Sequence, residues 1–589
     1  MFIPATREEI KTLGWTGLDI ILVTGDAYID SPYIGAALIG KVLMDRGYRV
    51  GIIAQPDTES DADITRLGEP ALFWGITGGC VDSMVANYTA TKKFRNDDDY
   101  TPGGVNDKRP DRAVIVYANL VRRYFKPTVP IVLGGIEASL RRISHYDFWS
   151  GRIRRSILFD AKADYLVYGM GENTVVRLAR HLEKGLDPSG IEGLGYISRD
   201  PVNGFVQLPS FDAVKNDHDR FTRAFFLFYE NSDPITAQGL IQKHADRYLI
   251  LNRPAAPLSE DELDRVYTLP FERDLHPVHK KEGDVRALDT IRFSIPTHRG
   301  CYGQCHFCSI GIHEGTAVTW RSESSIVKEA ESMAKTPGFK GIIHDLGGPT
   351  ANMYGYECAK KPRNGICRDR RCLTPEPCKS LKVDHSGQIR LLDRIRQVEG
   401  VRKVFVSSGI RYDLILQDND SGRQYLQKVV DRHTSGQMKV APEHSVRKVL
   451  ELMGKPPVDS LIEFKSLFDR MSRQSGKKQF LTYYLIAAHP GCRMEDMKQL
   501  KHFTGSTLKI NPRQVQIFTP TPSTVSTLMY CTGRDPFTGK SVFVEKNPKN
   551  REKQKAKMFE SPRVTGSKTG KQKRRKTNGR KGNESGKNP

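Results

Sequence analysis

The sequence predicts an α/β protein built as two successive parallel-sheet units, with its chemistry in the second. Three observations predict it. Short apolar runs alternate with helix-period stretches from Leu18 to Leu182, the pattern of βαβ units in a parallel sheet. The alternation returns at Thr290 and runs to Phe518. A cysteine-rich loop, Arg299-Gly-Cys-Tyr-Gly-Gln-Cys-His-Phe-Cys308, lies between the first strand and first helix of that second unit.

Taken in order, Leu18-Asp-Ile-Ile-Leu-Val23 is a buried-type strand, and Gly25 and Asp26 turn after it. Residues 35–45 form a helix with Ala36, Ile39, Leu43 and Met44 apolar, and Tyr48-Arg-Val-Gly-Ile-Ile-Ala54 is the next strand. Such a unit crosses right-handed. Further strands are expected at Leu72–Ile76, Val129–Gly135 and Tyr165–Tyr168, with helices over 113–124 and 173–182. The result is a Rossmann-like domain over residues 1–200. Glycine turns (Gly78-Gly79, Gly134-Gly135, Gly169-Met-Gly171) fall at the strand ends. Ligands of open α/β sheets bind there, and glycine admits close backbone approach. Glycine equally serves to close tight turns.

Residues 201–284 are polar and poorly periodic and are expected as a connecting segment, with a helical patch over 219–228. The second unit, 285–525, starts with a strand at Thr290–Ile295 and a helix over 322–335. Strands then follow at Gly341–Leu346, Lys403–Ser407, Gln437–Ala441, Phe480–Ile486 and Val515–Phe518, giving six β/α units. It carries a Cys-rich insert at 355–385. A C-terminal extension covers 526–559, and a disordered basic tail is expected over 560–589.

A chain of 589 residues accommodates two or three domains. No apolar run approaches a membrane span, and the N-terminus lacks a signal-peptide pattern, so a cytoplasmic location and no membrane partner are expected. Cysteines in that compartment are metal ligands or reduced thiols, and seven of the ten fall between Cys301 and Cys378. The net charge is +23, and ten Lys or Arg against one acid, Glu584, follow Glu560. Clustered positive charge favours RNA or another polyanion, and it also suits a solvated terminus.

Cys301, Cys305 and Cys308 are spaced by three and then two residues, so one loop aims three thiolates at one point. Such sets hold iron–sulfur clusters or structural zinc. Three ligands leave one iron of a [4Fe–4S] cube open. Cys358, Cys367, Cys372 and Cys378 form a second set among Lys360, Lys361, Arg363, Arg368, Arg370 and Arg371. Cationic neighbours favour thiolate. The set suits zinc, an auxiliary iron–sulfur cluster, or plain reduced thiols.

The pattern Cys-x3-Cys-x-aromatic-Cys, with Phe307 as the aromatic, resembles the signature of the radical SAM superfamily. That resemblance implies a partial (β/α)6 TIM-type barrel and S-adenosylmethionine (SAM) on the open iron. It implies cleavage of SAM to methionine and a 5′-deoxyadenosyl radical, and an electron donor such as flavodoxin or ferredoxin. Asp345-Leu-Gly-Gly-Pro349 resembles the Gly-Gly motif at the SAM amino group, which implicates Gly347 and Gly348; Pro349 replaces the usual acid. Val440-Ala-Pro-Glu-His-Ser445 resembles the fourth-strand segment of radical SAM methylthiotransferases and implicates Glu443.

Leu133–Ser139 and Ala163–Glu172 are similar to the N-terminal domain of cobalamin-binding radical SAM proteins. The Asp-x-His-x-x-Gly motif is missing after the first strand, which reads Gly25-Asp-Ala-Tyr-Ile-Asp-Ser31, so cobalamin is not expected unless it binds without a protein ligand. The order of all these pieces, from Phe2 to Lys557, resembles the YgiQ-type radical SAM family. The implied function is a radical SAM enzyme acting on an unknown substrate, and no catalytic side chain is assigned. The alternatives are RNA modification of methylthiotransferase type and a nucleic-acid-binding protein with structural metals.

Overall fold

A computed structural model describes residues 1–368 and 370–560. The disordered tail expected over 560–589 lies outside these residues, Glu560 excepted. The N-terminal half runs β1 (Ile20–Thr24), α1 (Gly35–Asp45), β2 (Val50–Ala54), β3 (Phe73–Thr77), α2 (Ala113–Tyr124), β4 (Ile131–Gly134), β5 (Tyr165–Val167) and α3 (Glu172–Glu183). These five strands are parallel, in the order β2-β1-β3-β4-β5. Leu38 and Val42 of α1 and Val175 and Leu178 of α3 pack in one core, while Val114, Tyr117 and Val121 of α2 pack in another. Strands covered on both faces need continuous apolar runs, which is why Ile20-Ile-Leu-Val23 does not alternate. Trp74 of β3 is fully buried and donates its indole N–H to Thr128 Oγ1 at 3.0 Å.

The sheet then continues beyond the parallel strands. β6 (Leu194–Ser198) is antiparallel to β5, and β7 (Val206–Leu208), α4 (His218–Glu230), β8 (Leu240–His244) and β9 (Arg247–Leu251) follow. The complete order is β7-β8-β9-β6-β5-β4-β3-β1-β2. Residues 201–284, expected as a connecting segment, therefore supply three strands of the N-terminal sheet. Their polarity disguises them, because β8 buries Gln242 and His244. Gln242 accepts from the Ser144 N–H and hydroxyl and donates to the Pro209 carbonyl, so its burial costs little.

In the second half the first strand, β10, is only Ser294–Pro296, because the expected start at Thr290 is the end of a helix, Arg286–Ile291. Then come α5 (Glu323–Ala334), β11 (Ile342–Ile343), β12 (Asp345–Gly347), β13 (Lys403–Val404), β14 (Gln437–Glu443), β15 (Phe480–Ala487) and β16 (Gln514–Ile517). β10 pairs with β12, β11 with β13, and β14, β15 and β16 with one another, all parallel. A parallel bridge between Ile410 and Val440 links the β13 segment to β14. The strands thus pair in chain order around a core that includes Ile295, Leu346, Val440 and Phe464. Among the described residues no helix is long and apolar enough to cross a membrane.

The two halves meet at their strand ends. Arg299 reaches Glu172, the first residue of α3, at 2.5 Å, and both are buried. His313 Nδ1 meets Ser139 Oγ at 3.1 Å, and Ser523 donates to the Leu140 carbonyl at 2.8 Å.

Candidate functional site

The cysteine loop leaves β10 through Gly300, and only glycine serves there. Its φ is +79°, and an added Cβ would lie 2.1 Å from the Ala317 carbonyl oxygen. The Gly300 N–H donates to Glu314 Oε2 at 3.1 Å, and the Cys301 N–H to the Gly315 carbonyl at 3.2 Å. Farther on, the His306 N–H donates to the Met453 carbonyl at 2.9 Å, and His306 Nδ1 lies 2.9 Å from the Leu452 carbonyl. The loop is pinned at both ends, so its thiols are held rather than trailing.

Gly303 lies among those thiols. Its N–H donates to Cys301 Sγ at 3.4 Å, and an added Cβ would sit 3.2 Å from Cys301 Sγ and 3.9 Å from Cys305 Sγ. Cys301 Sγ is also 3.5 Å from Thr350 Oγ1. Cys301, Cys305 and Cys308 all line one cavity of about 310 Å³. Burial pushes the Cys301 and Cys308 thiols up, so metal binding here displaces protons. Arg411 points Nη1 at Cys305 Sγ, 3.9 Å away, and is itself clamped by both carboxylate oxygens of Asp413.

Among the described residues no three His, Cys, Asp or Glu side chains converge tightly enough for a single metal ion. A cubic cluster does not need such convergence, because each thiolate binds a different iron and the sulfurs stand farther apart. The donor set, three thiols on one loop facing one cavity, fits the cluster.

The other expected residues are distributed unevenly. Glu443 ends β14 in the left-handed region, at φ +67°, is buried, and is 3.9 Å from Lys455. Burial raises its carboxyl, and its charge is felt at Cys308. Gly347 closes β12 and accepts from the Thr297 N–H, whereas Gly348 and Pro349 line a different cavity. A Cβ at Gly348 would lie 2.6 Å from the His298 ring. Cys358, Cys372 and Cys378 gather at one small apolar core with Leu373 and Leu381. Cys367 is exposed and lines the cavity of Cys301, Cys305 and Cys308 instead. The Ile366 N–H beside it donates to Asp233.

Sequence reasoning missed Arg411, Asp413, Lys455 and the Glu172–Arg299 pair. The first two had a weak signal, since Gly409-Ile-Arg-Tyr-Asp413 puts two charges in an apolar setting after a strand. The Glu172–Arg299 pair, 127 residues apart, had none.

A cysteine loop of this spacing after a parallel strand resembles that of the radical SAM class, and comparison with known proteins bears on it directly. Residues 2–294 match the family model described as Radical SAM N-terminal, and residues 513–563 match a domain of unknown function, DUF3362. A UPF0313 protein of Fusobacterium nucleatum is 56% identical over 555 residues, covering 94% of this chain and 98% of its own. A UPF0313 protein of Thermotoga petrophila is 50% identical over 558 residues, covering 94% and 98%. The chain belongs to the UPF0313 family, the radical SAM proteins of YgiQ type. Two solved structures are similar in outline. One is the radical S-adenosylmethionine methyltransferase TsrM from Kitasatospora setae (TM-score 0.47, 15% identity, 87% of this chain and 77% of that one). The other is the cobalamin-dependent S-adenosylmethionine radical enzyme OxsB (TM-score 0.48, 11% identity, 89% and 57%).

Proposed function

We propose that the protein is a radical SAM enzyme in which Cys301, Cys305 and Cys308 hold a [4Fe–4S] cluster whose open iron binds SAM. One observation carries the reading: three thiols on one pinned loop open into one cavity at the ends of parallel strands. The strands are read as a partial (β/α)6 barrel. When bound, the cluster supplies the electron that splits the SAM sulfonium into methionine and a 5′-deoxyadenosyl radical. The chain's own residues bind and orient. Arg411, fixed by Asp413, holds its guanidinium beside Cys305 Sγ. Glu443 and the Gly347 carbonyl are acceptors for the SAM ammonium, which needs them, while Gly348 lines the other cavity and is left out of this role. A flavodoxin- or ferredoxin-type donor supplies the electron, and the substrate is unnamed. A second metal, zinc or an auxiliary iron–sulfur cluster, at Cys358, Cys367, Cys372 and Cys378 would require these thiols to come together, which they do not do here, Cys367 lining the cavity of the other three cysteines instead.

The test is 5′-deoxyadenosine release from SAM by anaerobically reconstituted, reduced protein. Release is expected from the wild type and not from the Cys301/Cys305/Cys308 triple-alanine variant. A wild type with a full, reducible cluster and no release with any candidate substrate would overturn the reading. RNA modification is the second reading, favoured by Arg368, Arg370 and Arg371 on the cavity wall and by the ten basic residues after Glu560. It predicts RNA binding that falls steeply with salt and weakens on truncation after Glu560.

A further inference from the structure

Two cavities flank the cysteine loop, one of about 510 Å³ at the N-terminal strand ends and one of about 310 Å³ at the thiols. The smaller is walled in part by the C-terminal segment. Ser523, Thr524, Val525 and Phe537 line it. All four fall within residues 513–563, the match to a domain of unknown function.

Helix α6 (Val525–Thr532) fixes this wall. Thr524 caps it, accepting from the Thr527 N–H at 3.3 Å. The Ser526 N–H donates to the His306 carbonyl at 2.9 Å, in the middle of the cysteine loop. The first N–H groups of a helix have no partner inside it, so this bond costs the helix nothing. On another side Val525, Leu528 and Met529 share a core with Phe221 and Phe225 of α4.

After α6 a tight turn carries Phe537. Asp535 builds that turn. Its side chain accepts from the Phe537 N–H at 3.1 Å and the Thr538 hydroxyl at 2.7 Å, and its carbonyl from the Gly539 N–H at 2.8 Å. The turn therefore does not need the Phe537 ring. That ring lies at the edge of the cavity, where it stacks on His306 with centroids 5.4 Å apart and meets Phe226 of α4 edge-on at 5.7 Å. The Arg371 guanidinium is 5.0 Å from its centroid. One side chain thus joins the cysteine loop, the N-terminal half and the Cys-rich insert. It stays 47% exposed, so it stands between the cavity and solvent. Nε2 of the stacked His306 is buried without a hydrogen-bond partner. Keeping an imidazole nitrogen dry costs stability, so packing energy alone does not account for this cover.

We infer that the C-terminal segment is the closing wall of the cysteine cavity, and that Phe537 is its cover, restricting what reaches Cys301, Cys305 and Cys308 from solvent. Ser526 ties the wall to the loop, and the Asp535 turn holds the ring over the edge. This assigns a role to the segment of unknown function. It concerns access to the thiols and does not depend on the cluster.

The experiment alkylates full-length, reduced, metal-free protein with iodoacetamide under anaerobic conditions and follows each cysteine by peptide mass spectrometry. Wild type is compared with Phe537→Ala, which removes the cover, and Phe537→Tyr, which restores a ring. Alkylation of Cys301, Cys305 and Cys308 is expected to quicken roughly fivefold or more in Phe537→Ala and to stay within about twofold of wild type in Phe537→Tyr, since thiol reactivity follows exposure. Cys378, in the insert but not lining this cavity, and the fully buried Cys492 should keep their wild-type rates. Unchanged rates at the three thiols in Phe537→Ala overturn the inference. So does an equal rise at Cys378 or Cys492, which would mean a loosened insert or unfolding, or a tyrosine variant that reacts like the alanine one. Iron and sulfide bound after separate reconstitution report the cluster reading, so failure of one is distinguishable from failure of the other.

Discussion

The two cavities flanking the cysteine loop are built in opposite ways. The smaller takes its chemistry from one stretch of ten residues and borrows cations from elsewhere. The larger takes one or two residues from each of several strand ends and is closed by the other half of the molecule. A site carried by a contiguous loop is local, and its identity survives small changes in packing. A site assembled by topology exists only when both halves are docked. Chemistry concentrates in the first kind, and recognition in the second.

Variants sharpen that difference. The largest effect is expected from Cys305→Ala, which removes a central thiol without touching either core. Iron and sulfide binding at the loop should be lost while circular dichroism and the unfolding midpoint stay within error. A coincident collapse of the fold would mean the loop is structural after all. Next is Arg299→Ala, which leaves Glu172 buried and unpaired between the halves. Breaking such a pair costs about 3–5 kcal/mol, read by denaturant unfolding. A loss under ~1 kcal/mol would show that the halves dock without it.

The smallest effect, counted per side chain in mild acid, is that of pH. Burial holds His145 in the N-terminal half and His433 and His444 in the second half near about 4. Their unfolded value is about 6.5, so the stability they confer is full above that value and is lost as pH falls from 6.5 toward 4. At pH 6 the loss is below ~1 kcal/mol per imidazole. Both halves should weaken together in unfolding series at pH 7.5, 6 and 5. A midpoint that rises on acidification would contradict the burial of these rings as neutral groups.

Legibility in the sequence follows the same division. The helices at Gly35–Asp45 and Ala113–Tyr124 appear where periodicity put them, because apolar residues at helical spacing must face a sheet. The cysteine loop was readable because its ligands are neighbours in the chain. The strand β8 was not, since Gln242 and His244 are polar residues buried with partners or aromatic neighbours that only the fold supplies, and β9 is a short apolar run whose pairing with β8 and β6 only the fold supplies. Spacing groups Cys367 with its sequence neighbours, yet it lines the cavity of the other thiols, and the adjacent Ile366 N–H donates to Asp233, 133 residues before Ile366. Spacing reports local geometry and is silent on such anchors.

The Glu172–Arg299 pair also sets an order of events during synthesis. Glu172 leaves the ribosome 127 residues ahead of its partner. Until Arg299 follows, the carboxylate must stay hydrated, and the end of the N-terminal sheet cannot close over it. Arg299, the residue just before the cysteines, is then the group that meets the Glu172 carboxylate at the larger cavity.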